Sequence, residues 1–182
     1  MNLTDKAKRF AERAHEGQIR RLDGGPYFTH VENTALTLFK AGFREEVVAA
    51  GFLHDAVEDT ETSIGQIKDI FGEDVASLVA FNTEDKSLTW EERKQHTIQS
   101  ASLAGIEEKA ILAADKLDNL ESLLKENKKH GDDIWRMFNR GKDKQAWYHR
   151  SISENLFKNL EPKEIPSFFF VYKRLVKEFF SE

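Results

Sequence analysis

The chain has 182 residues, a formal net charge of -5 and no cysteine. That length suits a single domain with its own core, and the lack of thiols excludes a disulfide framework, a thiolate metal site and a cysteine nucleophile. The acidic balance argues against a nucleic-acid polymer as partner, since such binding draws on excess basic charge, while local basic clusters can still hold a small anion. Met1-Asn2-Leu3-Thr4 leads straight into an amphipathic pattern, and no apolar run approaches a bilayer span. A cytoplasmic protein without a membrane partner is therefore expected.

Nearly every periodic segment reads as helix, and only three prolines interrupt the chain, so the expected class is all-α, a compact single-domain bundle over 1–182. Thr4 is placed to cap a first helix reaching about residue 15, with Ala7, Phe10, Ala11 and Ala14 on one stripe. Asp23-Gly24-Gly25-Pro26 reads as a loop, followed by Tyr27-Phe28-Thr29-His30. Helical patterns then cover 31–40, 45–57, 63–71 and 74–81, with Gly42, Thr60-Glu61-Thr62 and Gly72 as breaks. After a polar interval over 82–89, helices are expected at 90–102, 107–126, 142–160 and 165–180, with 127–133 irregular. The charged groups Glu84-Asp85-Lys86 and Glu91-Glu92-Arg93-Lys94 read as solvated faces. The last segment, 163–182, is rich in phenylalanine at helical spacing, which favours docking on the core over a membrane or partner surface. Any apolar excess there offers an interface for a homodimer.

Chemistry concentrates in Gly51-Phe52-Leu53-His54-Asp55-Ala56-Val57-Glu58-Asp59-Thr60. On a helix Glu58 follows His54 by one turn and Asp59 follows Asp55, so two ligands and two supporting carboxylates can converge. Imidazole plus carboxylate suits Mn²⁺, Zn²⁺ or Fe²⁺. The same run also fits an amphipathic helix end with a polar cap. Two further ligand candidates are His30 and Asp115, the latter a carboxylate inside the apolar run 110–117, where burial demands a cation or several donors. Asn119 lies one turn past Asp115 and could meet a substrate, whereas Asp118 is expected to point elsewhere, as a solvated or capping residue.

Four ordered blocks carry a resemblance: Ala14-His15-Glu16-Gly17-Gln18-Ile19-Arg20, Pro26-Tyr27-Phe28-Thr29-His30, Leu53-His54-Asp55-Ala56-Val57-Glu58-Asp59-Thr60 and Ala114-Asp115-Lys116-Leu117-Asp118-Asn119. Together they resemble the HD-domain metal-dependent phosphohydrolases, and more closely the hydrolase domain of RelA/SpoT proteins and their small single-domain relatives. The resemblance implies an HD-type helical bundle whose metal ligands are His30, His54, Asp55 and Asp115, holding one divalent ion, usually Mn²⁺. It implies that Glu58 and Asp59 are the catalytic acidic pair and that Arg20 and Asn119 contact the nucleotide. On chemical grounds Arg20, helped by Arg21 and Lys116, is expected to offset phosphate charge. His15 is assigned to helix packing. The chain departs from the pattern in the longer Leu22-Asp23-Gly24-Gly25 stretch, which bears on Arg21, and in Asp118, where related hydrolases often carry histidine or tyrosine. With no synthetase-like region following the hydrolase-like part, any alarmone activity is expected to be degradative.

The implied reaction removes the 3′-pyrophosphate of ppGpp or pppGpp, giving GDP or GTP. The segment 135–150, mixing basic and aromatic residues, reads equally as a nucleotide wall or as a solvated helix with Trp147 and Tyr148 packed inward. Alternatives are the same metal chemistry on another nucleotide, such as a nucleoside monophosphate or NADPH, and a nucleotide sensor without turnover. A sensor needs neither an activated water nor an acidic pair. A protein-interaction module built on the aromatic C-terminal helix explains none of the four blocks.

Overall fold

Burial follows the apolar periodicity, and the computed structural model, which describes residues 2–181, is all-α as expected, with no strand among those residues. Two helices organise the interior. In α3 (Glu45–Leu53) every residue from Val47 to Leu53 is buried, so this helix is enclosed on all sides. Against it pack α1 (Leu3–Ala14), α2 (Phe28–Lys40) and α6 (Glu73–Asn82), the last paired with α5 (Ile64–Phe71). The second organiser is the 25-residue α8 (Ile106–His130), which touches α2, α3 and α6 and also carries α10 (Ser167–Phe179). Between them, α7 (Trp90–Leu103) packs on α9 (Gly141–Asn155), and α9 on α10.

Several boundaries move from their expected places, each for a local reason. Asn2, not Thr4, caps α1, its Oδ1 accepting from Asp5 N at 2.7 Å. The helix expected over 45–57 breaks at His54-Asp55 and resumes as the short α4 (Ala56–Asp59). His54 Nδ1 donates to the Gly51 carbonyl at 2.8 Å, taking an acceptor the next helical turn would otherwise use. Helix α8 continues into the stretch expected to be irregular, as far as His130, because Lys128, Lys129 and His130 favour the negative end of the helix dipole. It stops at Gly131, whose φ of 55° suits glycine, and a 3-10 segment follows (Gly131–Met137).

The aromatic C-terminal segment buries Phe168, Phe169, Tyr172 and Val176 against α8 and α9, leaving Phe170 exposed. At the centre, α2 and α3 approach so closely that a Cβ on Gly51 would stand 2.6 Å from Leu38 Cδ1 and 3.1 Å from Ala35 Cα. Gly51→Ala is accordingly expected to destabilise the fold by roughly 1–3 kcal/mol through overpacking. Urea unfolding checks this, and a parental midpoint with parental slope would contradict the close approach.

Candidate functional site

The break after α3 aims both His54 and Asp55 at α8, while α2 supplies His30 and α8 supplies Asp115. His54 Nδ1 is committed as a donor to Gly51 O, which leaves Nε2 as the free lone pair of the neutral ring. That Nε2 is buried without a hydrogen-bond partner. Donor atoms of His30, His54 and Asp115 lie within 4.8 Å of one another. Asp55 Oδ2 stands 3.4 Å from His30 Nε2 and 3.2 Å from His54 Nε2, and Asp115 Oδ1 stands 3.4 and 3.9 Å from the same two atoms. Ligands about 2.0–2.2 Å from a shared ion are separated by about 2.8–3.6 Å, so most of these gaps have the right size. All four expected ligands therefore meet, and the partnerless Nε2 is the observation that calls for a cation among them.

Electrostatics agree with that fit. Burial disfavours a charged His30, yet hydrogen bonds with Asp115, Asp118 and Asp55 outweigh it and raise its pKa well above the usual value. His54 is raised too, burial being overcome by Asp55. The pocket thus draws positive charge, and a divalent ion answers the same field.

Around this cluster, Asn119 Nδ2 donates to Asp115 Oδ1 at 2.6 Å, and Lys116 Nζ lies 2.7 Å from Asp115 Oδ2. Burial opposes the charge on Lys116, but Asp115 outweighs it and the ammonium is held charged. The acidic pair sits just beyond. Glu58 Oε1 accepts from the Glu84 backbone N–H at 2.9 Å; burial, then the Asp55 charge, pushes the Glu58 carboxyl up to about 7. Asp59 Oδ1 accepts from Lys86 Nζ at 2.8 Å, and the Tyr27 hydroxyl is shared between Asp55 Oδ2 at 2.7 Å and Asp59 Oδ2 at 3.1 Å.

Two cavities open here. One of about 490 Å³ is walled by Asp55, Glu58, Asp59, Asp115, Lys94 and Lys116 among others. The other, of about 320 Å³, is walled by Arg20, Arg21, His30, Phe138, Tyr148 and His149, and both have Tyr27, Lys94, Lys116 and Asn119 in their walls. Arg21 is exposed, whereas Arg20 is buried beside Asp118, with Nη2 3.1 Å from Asp118 Oδ2 and Nη1 3.6 Å from Asp23 Oδ2. His15 packs as expected, stacked on Tyr27 at 5.0 Å.

Three residue readings need correction. Asp118 is neither solvated nor a cap: it is buried and accepts from His30 Nδ1 at 2.7 Å. Three residues advance a helix by about 300°, which leaves Asp118 only about 60° from Asp115 and directs both toward α2. Glu84 and Lys94, expected on solvated faces, are paired at 2.8 Å in the wall of the larger cavity. Within 135–150, Phe138, Gln145, Tyr148 and His149 wall the smaller cavity, while Trp147 packs against Trp90. Tyr27 was within reach of the sequence, since it lies in the Pro26–His30 block. Asn33 and Lys86 gave no signal, because they matter through partners more than 25 residues away.

Comparison with known proteins places this geometry. Residues 7–141 match the family described as HD domain. A guanosine-3′,5′-bis(diphosphate) 3′-pyrophosphohydrolase, MESH1 of Drosophila melanogaster, is 44% identical over 110 residues, 58% of this chain and 62% of that protein's length. The chain thus spans under two thirds of that relative. A crystal structure from Listeria monocytogenes superposes with a TM-score of 0.82 at 52% identity, covering 84% of this chain and 99% of the other. The structure of a metazoan ortholog of SpoT, described as hydrolysing ppGpp and playing a role in starvation responses, gives 0.80 at 27% identity, covering 100% and 97%. With the family match spanning most of the sequence and a buried His/Asp cluster at its centre, the chain belongs to the HD-domain family.

Proposed function

We propose that the chain is a metal-dependent guanosine-3′,5′-bis(diphosphate) 3′-pyrophosphohydrolase, using one divalent ion, Mn²⁺, held by His30, His54, Asp55 and Asp115. The observation that carries this reading is one cavity walled at once by two of those ligands, the acidic pair, and the cations Lys94 and Lys116. Phosphoryl transfer needs these three things together: an activated water, a proton acceptor and positive charge for phosphate. The activity named for the fly relative and described for the SpoT ortholog supports the choice of substrate.

When bound, the ion supplies a water of lowered pKa and polarises a phosphoryl oxygen. Glu58, with its proton affinity near neutrality, accepts the water proton. Attack at the phosphorus carried by the ribose 3′ oxygen breaks that P–O bond; the 3′ oxygen leaves and is protonated, giving GDP or GTP and pyrophosphate. Asp59, fixed by Lys86 and Tyr27, orients the water. Lys116 and Lys94 offset phosphate charge, with Arg21 at the smaller cavity. There Tyr148 and a His149 that burial keeps neutral, its pKa pushed to about 3, offer an uncharged wall for a purine. Asn119 steadies Asp115 between the two cavities. No helix among the described residues is long and apolar enough to cross a membrane, and a cytoplasmic setting suits the substrate.

Metal-stripped protein is expected to release pyrophosphate from ppGpp only after Mn²⁺ is added back, with NADPH and nucleoside monophosphates turned over far more slowly. Orthophosphate from NADPH in preference would replace the substrate, and no turnover of any nucleotide would favour a sensor.

A further inference from the structure

The carboxylate of Asp118 gathers three donors from two other parts of the fold. Its Oδ2 accepts from His30 Nδ1 at 2.7 Å and lies 3.1 Å from Arg20 Nη2, and its Oδ1 accepts from Asn33 Nδ2 at 2.8 Å. A carboxylate cannot donate when ionised, so the proton of the neutral His30 ring must sit on Nδ1, and Nε2 is left as the lone pair facing Asp55 and Asp115. Asp118 does for His30 what the Gly51 carbonyl does for His54. The difference is charge: a carboxylate makes the imidazole a stronger base and ligand than a carbonyl does.

We propose that Asp118 is a positioning residue that fixes the tautomer and orientation of His30 for the metal, and that Arg20 serves this site by holding Asp118. The arrangement redirects Arg20. Arg20 is 8% exposed and its guanidinium is shared between Asp118 and Asp23, so it is anchored within the protein. Arg21, by contrast, is exposed in the wall of the smaller cavity. Asn33, one turn past His30 on α2, locks the second carboxylate oxygen and with it the carboxylate's rotation.

The inference rests on His30 being a metal ligand but not on the identity of the nucleotide, so its test reads metal binding. Mn²⁺ affinity is measured from the free-ion electron paramagnetic resonance signal in the parent, Asp118→Ala, Asp118→Asn and Arg20→Ala. The His30 ring is followed by ¹H–¹⁵N spectra of the Zn²⁺-loaded proteins. Asp118→Ala is expected to weaken Mn²⁺ about 10–100-fold, the usual cost of losing such a partner. Asp118→Asn should recover part of the loss, because its amide oxygen can accept the same Nδ1 proton, and Arg20→Ala should give a smaller loss. A purely packing role would not yield rescue by asparagine together with a retained Nδ1–H signal. Parental affinity in Asp118→Ala overturns the proposal, as does an Asp118→Asn protein no better than alanine. Failure of the parent to bind either ion overturns the metal reading and this inference with it, whereas loss of ppGpp turnover alone touches neither.

Discussion

Asp55→Ala is expected to abolish both metal binding and turnover. Asp55 Oδ2 is within 3.4 Å of both ligand imidazole nitrogens and also holds the Tyr27 hydroxyl, so its removal opens the site on two sides. The loss should go well beyond the roughly 10–100-fold seen when only an outer partner is removed. A second readout separates this from misfolding. In the parent, saturating Mn²⁺ should raise the unfolding midpoint, because a ligand that binds only the folded state stabilises by RT ln(1 + [L]/Kd), about 2.7 kcal/mol at 100 times Kd. In Asp55→Ala the rise should vanish while the metal-free protein still unfolds cooperatively. A Mn²⁺-induced rise equal to the parent's would remove Asp55 from the ligand set.

Glu58→Gln is expected to do the opposite on metal and the same on rate. The carboxylate accepts the Glu84 backbone N–H, a bond that an amide oxygen can keep, so the wall should survive and Mn²⁺ should bind close to parental affinity. The rate should fall by about 10²–10⁴, the usual contribution of a positioned base. Its pH profile follows from the shift. Burial and the neighbouring Asp55 charge raise the Glu58 carboxyl to about 7, above the ordinary 4.5, and the base acts only when deprotonated. The parent's rate should therefore fall as pH drops through a limb near 7, displaced lower to the degree that a bound cation offsets the Asp55 charge. In Glu58→Gln that limb should disappear from the residual rate. A parental rate in this variant would dismiss Glu58 as the base.

How much of this was legible beforehand depended on distance along the chain. The all-α class followed from apolar spacing, and the ligand candidates from residue types whose burial needs explanation: His30 after the glycine loop, His54-Asp55 after an apolar run, Asp115 within one. Even the Glu58-Asp59 pair needed only the helical repeat, and Asp59 N does bond Asp55 O at 3.0 Å in the turn of α4 that follows the break. Capping was harder to read, since Asn2 and Thr4 are both good caps and lie two residues apart.

Asp118, Glu84 and Lys94 were read as solvated by sequence because their surroundings come from remote parts of the chain: Asp118 meets His30, the Glu84 backbone N–H meets Glu58, and Lys94 lies over the Tyr148 ring. His30 and Asp118 are 88 residues apart, and only the crossing of α2 with α8 decides that this aspartate is a partner of histidine and not a solvated charge. The sequence by itself determined which side chains could hold a metal and move a proton, because composition and helical repeat are local properties. The tertiary structure alone decided which charges neutralise one another inside the protein and which are left for a ligand, because a charge's partner is set by helix packing, and a buried charge without one is too costly to keep.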